Sequence, residues 1–472
     1  MLDWPLLYLI SEWTIRLIML VYVPQKRNPA AARTWLLLIF IFPFGGLLLY
    51  GLFGRAYMSQ RRLAAQQKSS HFIRTIGKAF LANYAIHPDL PLPFQHIVTL
   101  AQNLGDFGTL GGNQVEILAD YEGAVDRLVA DIASAQDHVH LLYYIFADDR
   151  TGNRVVDALA DAVKRGVACR VLIDSLGSKK SRRTLVPRMK NAGIEVTQLL
   201  PVRWFRRRGT RADLRNHRKI AVIDGRIGYV GSQNLVNADF KEDITYEELV
   251  VRVTGPVVLQ LQAVFLADRS LDAEQHIDLA KLFPKEQMGG TSPAQTLPSG
   301  PSYPYANNQR LITALIHAAQ KRVVITTPYF IPDDAILQAM QTAVMRGVEV
   351  HLLVSRKADQ LLVGLAQRSY YEDLLETGVR VHRYKHRFLH AKHLSIDDTI
   401  VLVGSSNMDI RSFQLNAEIS LLVFDPQVAA TLRAVQERNF AQAEVLTLEE
   451  WRKRPAPVRI TQNLARLVDS VL

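Results

Sequence analysis

One stretch of this chain occurs twice, and it limits the fold more than any other feature. The first copy carries His217, Lys219, Asp224, Gly231, Ser232 and Asn234; the second carries His390, Lys392, Asp397, Gly404, Ser405 and Asn407 at the same offsets. Each copy is apolar and β-branched after its Lys, breaks at Asp224-Gly225 or Asp397-Asp398, and resumes as a second apolar run. That pattern predicts a β-hairpin with a two-residue turn. Residues two apart on a strand share a face, so His217 is expected to point with Lys219 and His390 with Lys392. Each pair sets a nucleophile or base beside a fixed positive charge. Gly-Ser-x-Asn then adds small residues for close approach, a hydroxyl and an amide. Two such half-sites facing each other would enclose a phosphate.

The duplication extends well beyond the motif. Asp126 to Ala135 reads as helix, Val139 to Ile145 as a buried strand, Arg154 to Lys164 as an amphipathic helix and Ala168 to Ile173 as a strand, with the next strand starting at Gly193. The second half retraces this order: Ala319-Gln320 answers Ala135-Gln136, Arg346-Gly347-Val348 answers Arg165-Gly166-Val167, and Gly378 answers Gly193. Alternating strand and helix predict an α/β layer structure with a largely parallel sheet. The expected organisation is a membrane anchor over 1–59, a connector over 60–100, a first domain over 101–285, a linker over 286–305 and a second domain over 306–472. Met288 to Pro304 is rich in Gly, Pro and Ser, which suits a linker or surface loop.

The paired motifs resemble the phospholipase D superfamily. Tyr143-Tyr144-Ile145-Phe146, Ser299-Gly300-Pro301, Thr327-Pro328-Tyr329-Phe330 and Asn407-Met408-Asp409-Ile410-Arg411-Ser412 extend the likeness to bacterial cardiolipin synthases over nearly the whole length. The resemblance implies two tandem phospholipase D-like domains about a pseudo-twofold axis, preceded by one or two transmembrane helices, with one active site between the domains. It implies His217 as nucleophile, forming a phosphohistidine, and His390 as acid and then base. Lys219, Lys392, Asn234 and Asn407, with the Ser232 and Ser405 hydroxyls, would hold phosphate oxygens. Glu248 and Glu418 would orient the imidazoles, although Glu247 adjoins the first. Asp224 and Asp397 complete the motifs from the hairpin turns, where Asp is common for local hydrogen bonding, and are read as structural. No metal or other cofactor is then required. His382, His386 and His390 recur every four residues, but that spacing shares a face only on a helix, and the segment reads as strand and loop.

The net charge of +11 suits a polyanionic partner, nucleic acid or anionic lipid. The amino terminus favours lipid. Trp35 to Phe53 is an uncharged apolar run long enough to cross a bilayer, and Trp4 to Val23 is apolar apart from Glu12 and Arg16, four apart on one helical face, where they could pair. The second run reads as the firmer span; the first either spans or lies in the interface. If both span, the amino terminus shares a side with the catalytic region, and the basic residues around the segments lean that side only slightly to the cytoplasm. Between Gly193 and His217 the chain is longer than between Gly378 and His390. The extra length holds Arg203, Trp204, Phe205, Arg206, Arg207, Arg208 and Arg211, where aromatic rings and arginines together suit a headgroup surface. Val458 to Leu472 is expected to form an amphipathic helix with Ile460, Leu464, Leu467 and Val471 on one side, docked on the second domain. Cys169, the sole cysteine, reads as a buried small hydrophobe.

The resulting expectation is a multi-pass enzyme of the bacterial inner membrane that transfers a phosphatidyl group from one phosphatidylglycerol to another, giving cardiolipin and glycerol. A phospholipase D using water is the alternative. A nucleic-acid phosphodiesterase is opposed by the membrane segments, so no nucleic-acid partner is expected, and a catalytically dead lipid-binding module is opposed by the intact His-Lys pairs.

Overall fold

The computed structural model describes residues 3–27, 29–54, 71, 73–76, 80–201, 213–272, 279–285 and 288–467. In the first half, apolar runs form parallel strands His138–Tyr143, Ala168–Asp174 and Glu195–Leu199, with the motif hairpin Ile220–Ile223 and Ile227–Gly231 antiparallel beside them. The second half repeats this with Arg322–Thr326, Glu349–Ser355 and Arg380–Tyr384 beside the hairpin His393–Ile396 and Ile400–Gly404. Helix Arg150–Lys164 buries Val155, Val156, Leu159 and Ala162, the stripe that helical periodicity requires, and starts where the Asp149 carboxylate accepts from the Gly152 N–H at 2.9 Å.

Both hairpin turns hold three residues rather than the two expected, because Ile223 pairs with Ile227 and Ile396 with Ile400. Asp224 and Gly225 both take positive φ, as does Asp397. This conformation turns each Asp carboxylate toward backbone outside the hairpin.

The stretch expected as a linker is not one. Ser292–Ser299 is a buried strand at the middle of the sheet, antiparallel to Leu110–Leu118 on one side and to Asn416–Phe424 on the other. Its composition misleads because distant groups meet several of its polar atoms: the Gln295 amide donates to Phe107 O at 2.6 Å, and the Thr296 N–H donates to Gln260 Oε1 at 2.7 Å. Through this strand the two halves share one 16-stranded sheet. They also share a core, in which Ile220, Val230 and Phe265 of the first half pack with Leu389, Val403 and Leu421 of the second. Burial of this kind fixes the halves rigidly against each other.

The amino-terminal segments depart from expectation too. Trp4–Tyr22 is one continuous 19-residue helix, with Arg16 and Glu12 paired at 3.2 Å. The longer apolar run is broken: helix Pro29–Ile41 ends before Pro43, and Pro43–Leu49 turns back along it. Proline lacks the N–H that would continue the ladder, and its ring clashes with the preceding turn. The reversal is tight, since a Cβ on Gly46 would lie 2.8 Å from Ile39 Cα. The Tyr50 ring returns to within 5.3 Å of Trp35, and Arg27 Nε donates to Gly54 O at 2.8 Å.

At the other end, Ala456–Arg466 is helical and docks on the second half, but through Gln462 and Ala465 rather than the apolar stripe. Arg466 bonds Asp373 at 2.9 Å, while Ile460, Leu464 and Leu467 are exposed. The basic stretch from Arg203 to Arg211 lies outside the described residues, as do Val471 and part of the 60–100 connector.

Candidate active site

The two motif histidines do not sit inside regular strands. His217 lies in the extended connection between the short strand Arg215–Asn216 and the hairpin, and His390 in the matching connection after Phe388–Leu389. Each short strand pairs with the opposite half: Arg215–Asn216 runs parallel to Asn416–Ala417, and Phe388–Leu389 runs parallel to Tyr246–Glu247. The His217 N–H donates to Ala417 O at 2.9 Å, and the His390 N–H donates to Glu247 O at 2.8 Å. Each histidine is thus threaded onto a strand of the other half before its chain returns to its own sheet.

That exchange decides the carboxylate partners. Glu418 holds His217 Nδ1 at 2.9 Å, and Glu248 holds His390 Nδ1 at 2.6 Å, so each acid serves the histidine of the other half. Glu247 is excluded from this role, because its carboxylate accepts from the Tyr384 hydroxyl at 2.6 Å. With Nδ1 engaged by a carboxylate, each imidazole keeps Nε2 for the pocket. Close approach of the Glu418 strand requires Gly300: at φ +141 it passes Ala417 so tightly that a Cβ would lie 2.8 Å from Ala417 Cα.

Lys219 and Lys392 are buried, and their ammonium groups donate to the carbonyls of His217 at 2.6 Å and His390 at 2.5 Å. Burial pulls both down, Lys219 to about 7 and Lys392 to about 8, with Glu418 and Glu248 respectively opposing the fall. Burial also lowers both histidines, His390 to about 4, against the pull of the carboxylates. Burial alone would raise the two acids, yet His390 outweighs it at Glu248 and His217 at Glu418, and both end below the usual range. Burial thus disfavours the imidazolium at both histidines, and the paired carboxylates favour it.

Asn234 and Asn407 both line the pocket, and Asn234 Oδ1 is oriented by the Ile145 N–H at 3.1 Å. The two serines do not meet the phosphate-binding expectation. Ser232 Oγ accepts from the Leu249 N–H at 3.0 Å, and Ser405 Oγ donates to Glu418 and accepts from the Ile419 N–H at 3.0 Å. Both hydroxyls are fully buried and brace the carboxylate strands. Asp224 and Asp397 also lie away from the pocket: Asp224 accepts from the Gln136, Asp137 and His138 N–H groups at 2.8 Å, and Asp397 from those of Lys321 at 2.8 Å and Arg322 at 2.9 Å. They pin the hairpin turns to the start of the neighbouring strand.

The pocket encloses about 470 Å³, room for a lipid headgroup. Its walls include residues that sequence reasoning left without a role. Around His217 stand Tyr144, with ring centroids 5.0 Å apart, Arg215, which bonds Asp174 at 3.2 Å, and Arg411, which donates to Asp213 O at 3.0 Å. Around His390 stand Tyr246 and Tyr329, at 5.3 and 6.3 Å between ring centroids. Tyr144, Tyr329 and Arg411 fall in stretches that had only marked a resemblance, and only their convergence on the pocket gives them work. Among the described residues no group of three or more His, Cys, Asp or Glu side chains could hold a metal ion. His382 stacks on His351 in the second half and His386 is exposed.

Residues 128–269 and 312–439 match the family described as cardiolipin synthase, PLD-like domain, and residues 14–55 match the phospholipase D-nuclease N-terminal family. Cardiolipin synthase A of Proteus mirabilis (strain HI4320) is 34% identical over 480 residues, covering 98% of this chain and 96% of that protein. Cardiolipin synthase A of Pectobacterium atrosepticum is 33% identical over 469 residues, covering 97% and 95%. A phosphatidylserine synthase from Haemophilus influenzae has a similar fold, with a TM-score of 0.60 at 17% identity, over 80% of this chain and all of that one.

Proposed function

Because the chain belongs to the cardiolipin synthase family with phospholipase D-like domains, we propose that it converts two phosphatidylglycerol molecules into cardiolipin and glycerol through a phosphohistidine on His217. The observation that carries this reading is the reciprocal pairing of His217 with Glu418 and His390 with Glu248 in one pocket. His217 Nε2 attacks phosphorus, and a P–N bond forms as the P–O bond to glycerol breaks. His390 gives the departing alkoxide its proton. A hydroxyl of the second phosphatidylglycerol then loses its proton to His390, forms the new P–O bond and releases His217. Lys219, Lys392, Asn234 and Asn407 stabilise the negative oxygens in both steps. The halves, repeating the same elements with exchanged strands, relate by a pseudo-twofold axis through the pocket.

The test is the variant pair His217→Ala and His390→Ala, supplied with phosphatidylglycerol in detergent micelles. His217→Ala forms no acid-labile phosphoenzyme. His390→Ala forms some and turns over none. Full activity in either variant would sink the mechanism, and phosphatidic acid as the main product of the native enzyme at all lipid densities would make it a hydrolase.

The amino-terminal geometry supports one membrane span with a re-entrant hairpin behind it. Trp4–Tyr22 is about 28 Å long, close to the roughly 30 Å of a hydrocarbon core, and it is the one described helix long and apolar enough to cross. Pro29–Ile41 reaches only about 20 Å before the chain turns back at Pro43. The hairpin's tip lies near the start of the span, with Phe44 5.5 Å from Tyr8 between ring centroids, and its exit at Gly54 lies beside Arg27. Lys26, Arg27 and Arg33 then share a side with the exit, after which the sequence continues through Arg55, Arg61, Arg62 and Lys68. An excess of basic residues marks the cytoplasmic face. The catalytic region is cytoplasmic in this arrangement and the amino terminus is outside, on the side opposite to the one expected if both apolar runs span.

A further inference from the structure

The catalytic machinery is duplicated, but the walls around it are not. Two residues before His217 stands Arg215; two before His390 stands Phe388. Two before Glu418 stands Asn416, against Tyr246 two before Glu248, and four after Asn407 stands Arg411, against Ala238 four after Asn234. Every polar or cationic member of these pairs borders His217, and the two aromatic members border His390.

On the His390 side the Asp359 carboxylate collects three donors: Lys241 Nζ at 2.6 Å, the Tyr329 hydroxyl at 2.7 Å and the Tyr246 hydroxyl at 2.9 Å. Gln360 donates to the Tyr329 hydroxyl at 3.1 Å, and Asp359, Gln360, Tyr329 and Lys241 all line the pocket. Lys241 and Tyr246 come from the first half and Asp359 and Tyr329 from the second, so the cluster exists only in the assembled fold. Its side chain only 3% exposed, Asp359 is neutralised by Lys241 and keeps accepting capacity on its oxygens. A neutral patch of hydroxyls, an amide and spare acceptors between aromatic rings suits a polyol and offers little to a second anion.

Resting on the assignment of His217 as nucleophile, we propose that Asp359, Tyr329, Tyr246 and Gln360 form the alcohol subsite, which holds the departing glycerol and then the hydroxyl-bearing headgroup of the acceptor lipid. In-line displacement puts the attacking nitrogen and leaving oxygen on opposite sides of phosphorus. An attack from His217 therefore delivers glycerol to the His390 side, where the cluster stands, and the acceptor hydroxyl must enter by the same place. Arg215 and Arg411 face the anionic donor.

A donor whose leaving group needs no glycerol site separates the two steps. With phosphatidyl-p-nitrophenol and the full-length enzyme in micelles, a P–N bond forms on His217 as p-nitrophenolate leaves. Added glycerol or water then takes the phosphatidyl group, yielding phosphatidylglycerol or phosphatidic acid as His390 accepts the proton. Asp359→Asn and Gln360→Ala are expected to lower the ratio of phosphatidylglycerol to phosphatidic acid about tenfold, the scale of one lost hydrogen bond. The p-nitrophenol burst should stay within about twofold of wild type. Arg411→Ala should slow the burst and spare the ratio. An unchanged ratio in Gln360→Ala, whose exposed side chain makes misfolding no excuse, overturns the subsite, as does an equal fall in Arg411→Ala. Phosphate recovered on His390 instead of His217 would overturn the nucleophile assignment itself, a separate result.

Discussion

Glu418 reaches across the repeat boundary to hold His217 Nδ1 at 2.9 Å, while its own half supplies His390. Each half depends on the other for the carboxylate at its motif histidine. In the proposed mechanism the two acids are unequal, because the histidines they orient would act at different moments.

Glu418→Gln should therefore fail early and Glu248→Gln late. Loss of the Glu418 carboxylate removes the acceptor that keeps Nε2 of His217 free for attack, and phosphoenzyme formation should fall about 10²–10⁴-fold. Glu248→Gln should still label His217 but accumulate the intermediate, since proton transfer through His390 is impaired. Rapid-quench labelling distinguishes them; wild-type labelling rates in Glu418→Gln would refute the crossed pairing.

Anion binding should weaken as pH rises. Burial pulls Lys219 down to about 7 and Lys392 down to about 8, so each should lose its charge as pH rises through that value. A phosphate-like anion binds the charged forms, so tungstate affinity measured by calorimetry should be greatest below about pH 7 and fall through about pH 8. Lys392→Ala should remove the upper step. A flat profile across this window would mean that both lysines stay protonated.

Asp224 should matter for stability and not for the chemical step. Its carboxylate serves three backbone N–H groups at 2.8 Å from a positive-φ turn. Asp224→Ala leaves the part-buried His138 N–H without this acceptor and hands the exposed Gln136 and Asp137 N–H groups to water, and should cost about 1–2 kcal/mol. Asn keeps an acceptor and tolerates this conformation, so Asp224→Asn should recover part of the loss. Urea unfolding reads the order; equal stability of all three proteins would contradict the structural role.

The single-span topology is open to cysteine labelling. In a Cys169→Ser background, Asp3→Cys should react with an impermeant maleimide in intact cells from which the outer membrane has been stripped, and Lys26→Cys only in inverted vesicles. The reverse pattern, Lys26→Cys labelled in the stripped cells and Asp3→Cys only in inverted vesicles, would restore two full spans, and labelling of both from the same side would mean that Trp4–Tyr22 does not cross.

Much of this protein was legible in its sequence because it is local or repeated. The strand and helix periods follow from apolar spacing, and the duplicated His, Lys and Asn positions announce a two-part site at matching offsets. Glu248 and Glu418 were within reach too, as acidic residues in similar contexts after each Asn, but their crossed allegiance was not. It depends on the strand exchange between Arg215–Asn216 and Asn416–Ala417, a contact across some 200 positions that no local propensity encodes. The Ser292–Ser299 strand misled for a similar reason: its Pro, Ser and Gln residues look like a loop until distant partners satisfy them. Trp35 to Phe53 misled by composition, since hydropathy sums over residues while Pro43 acts at one, and only the folded hairpin shows the chain turning back. The Asp359 cluster is the extreme case. Its members lie far apart along the chain and carry no pattern; they converge only because the halves share a sheet and a core, and tertiary packing alone sets which wall faces which histidine.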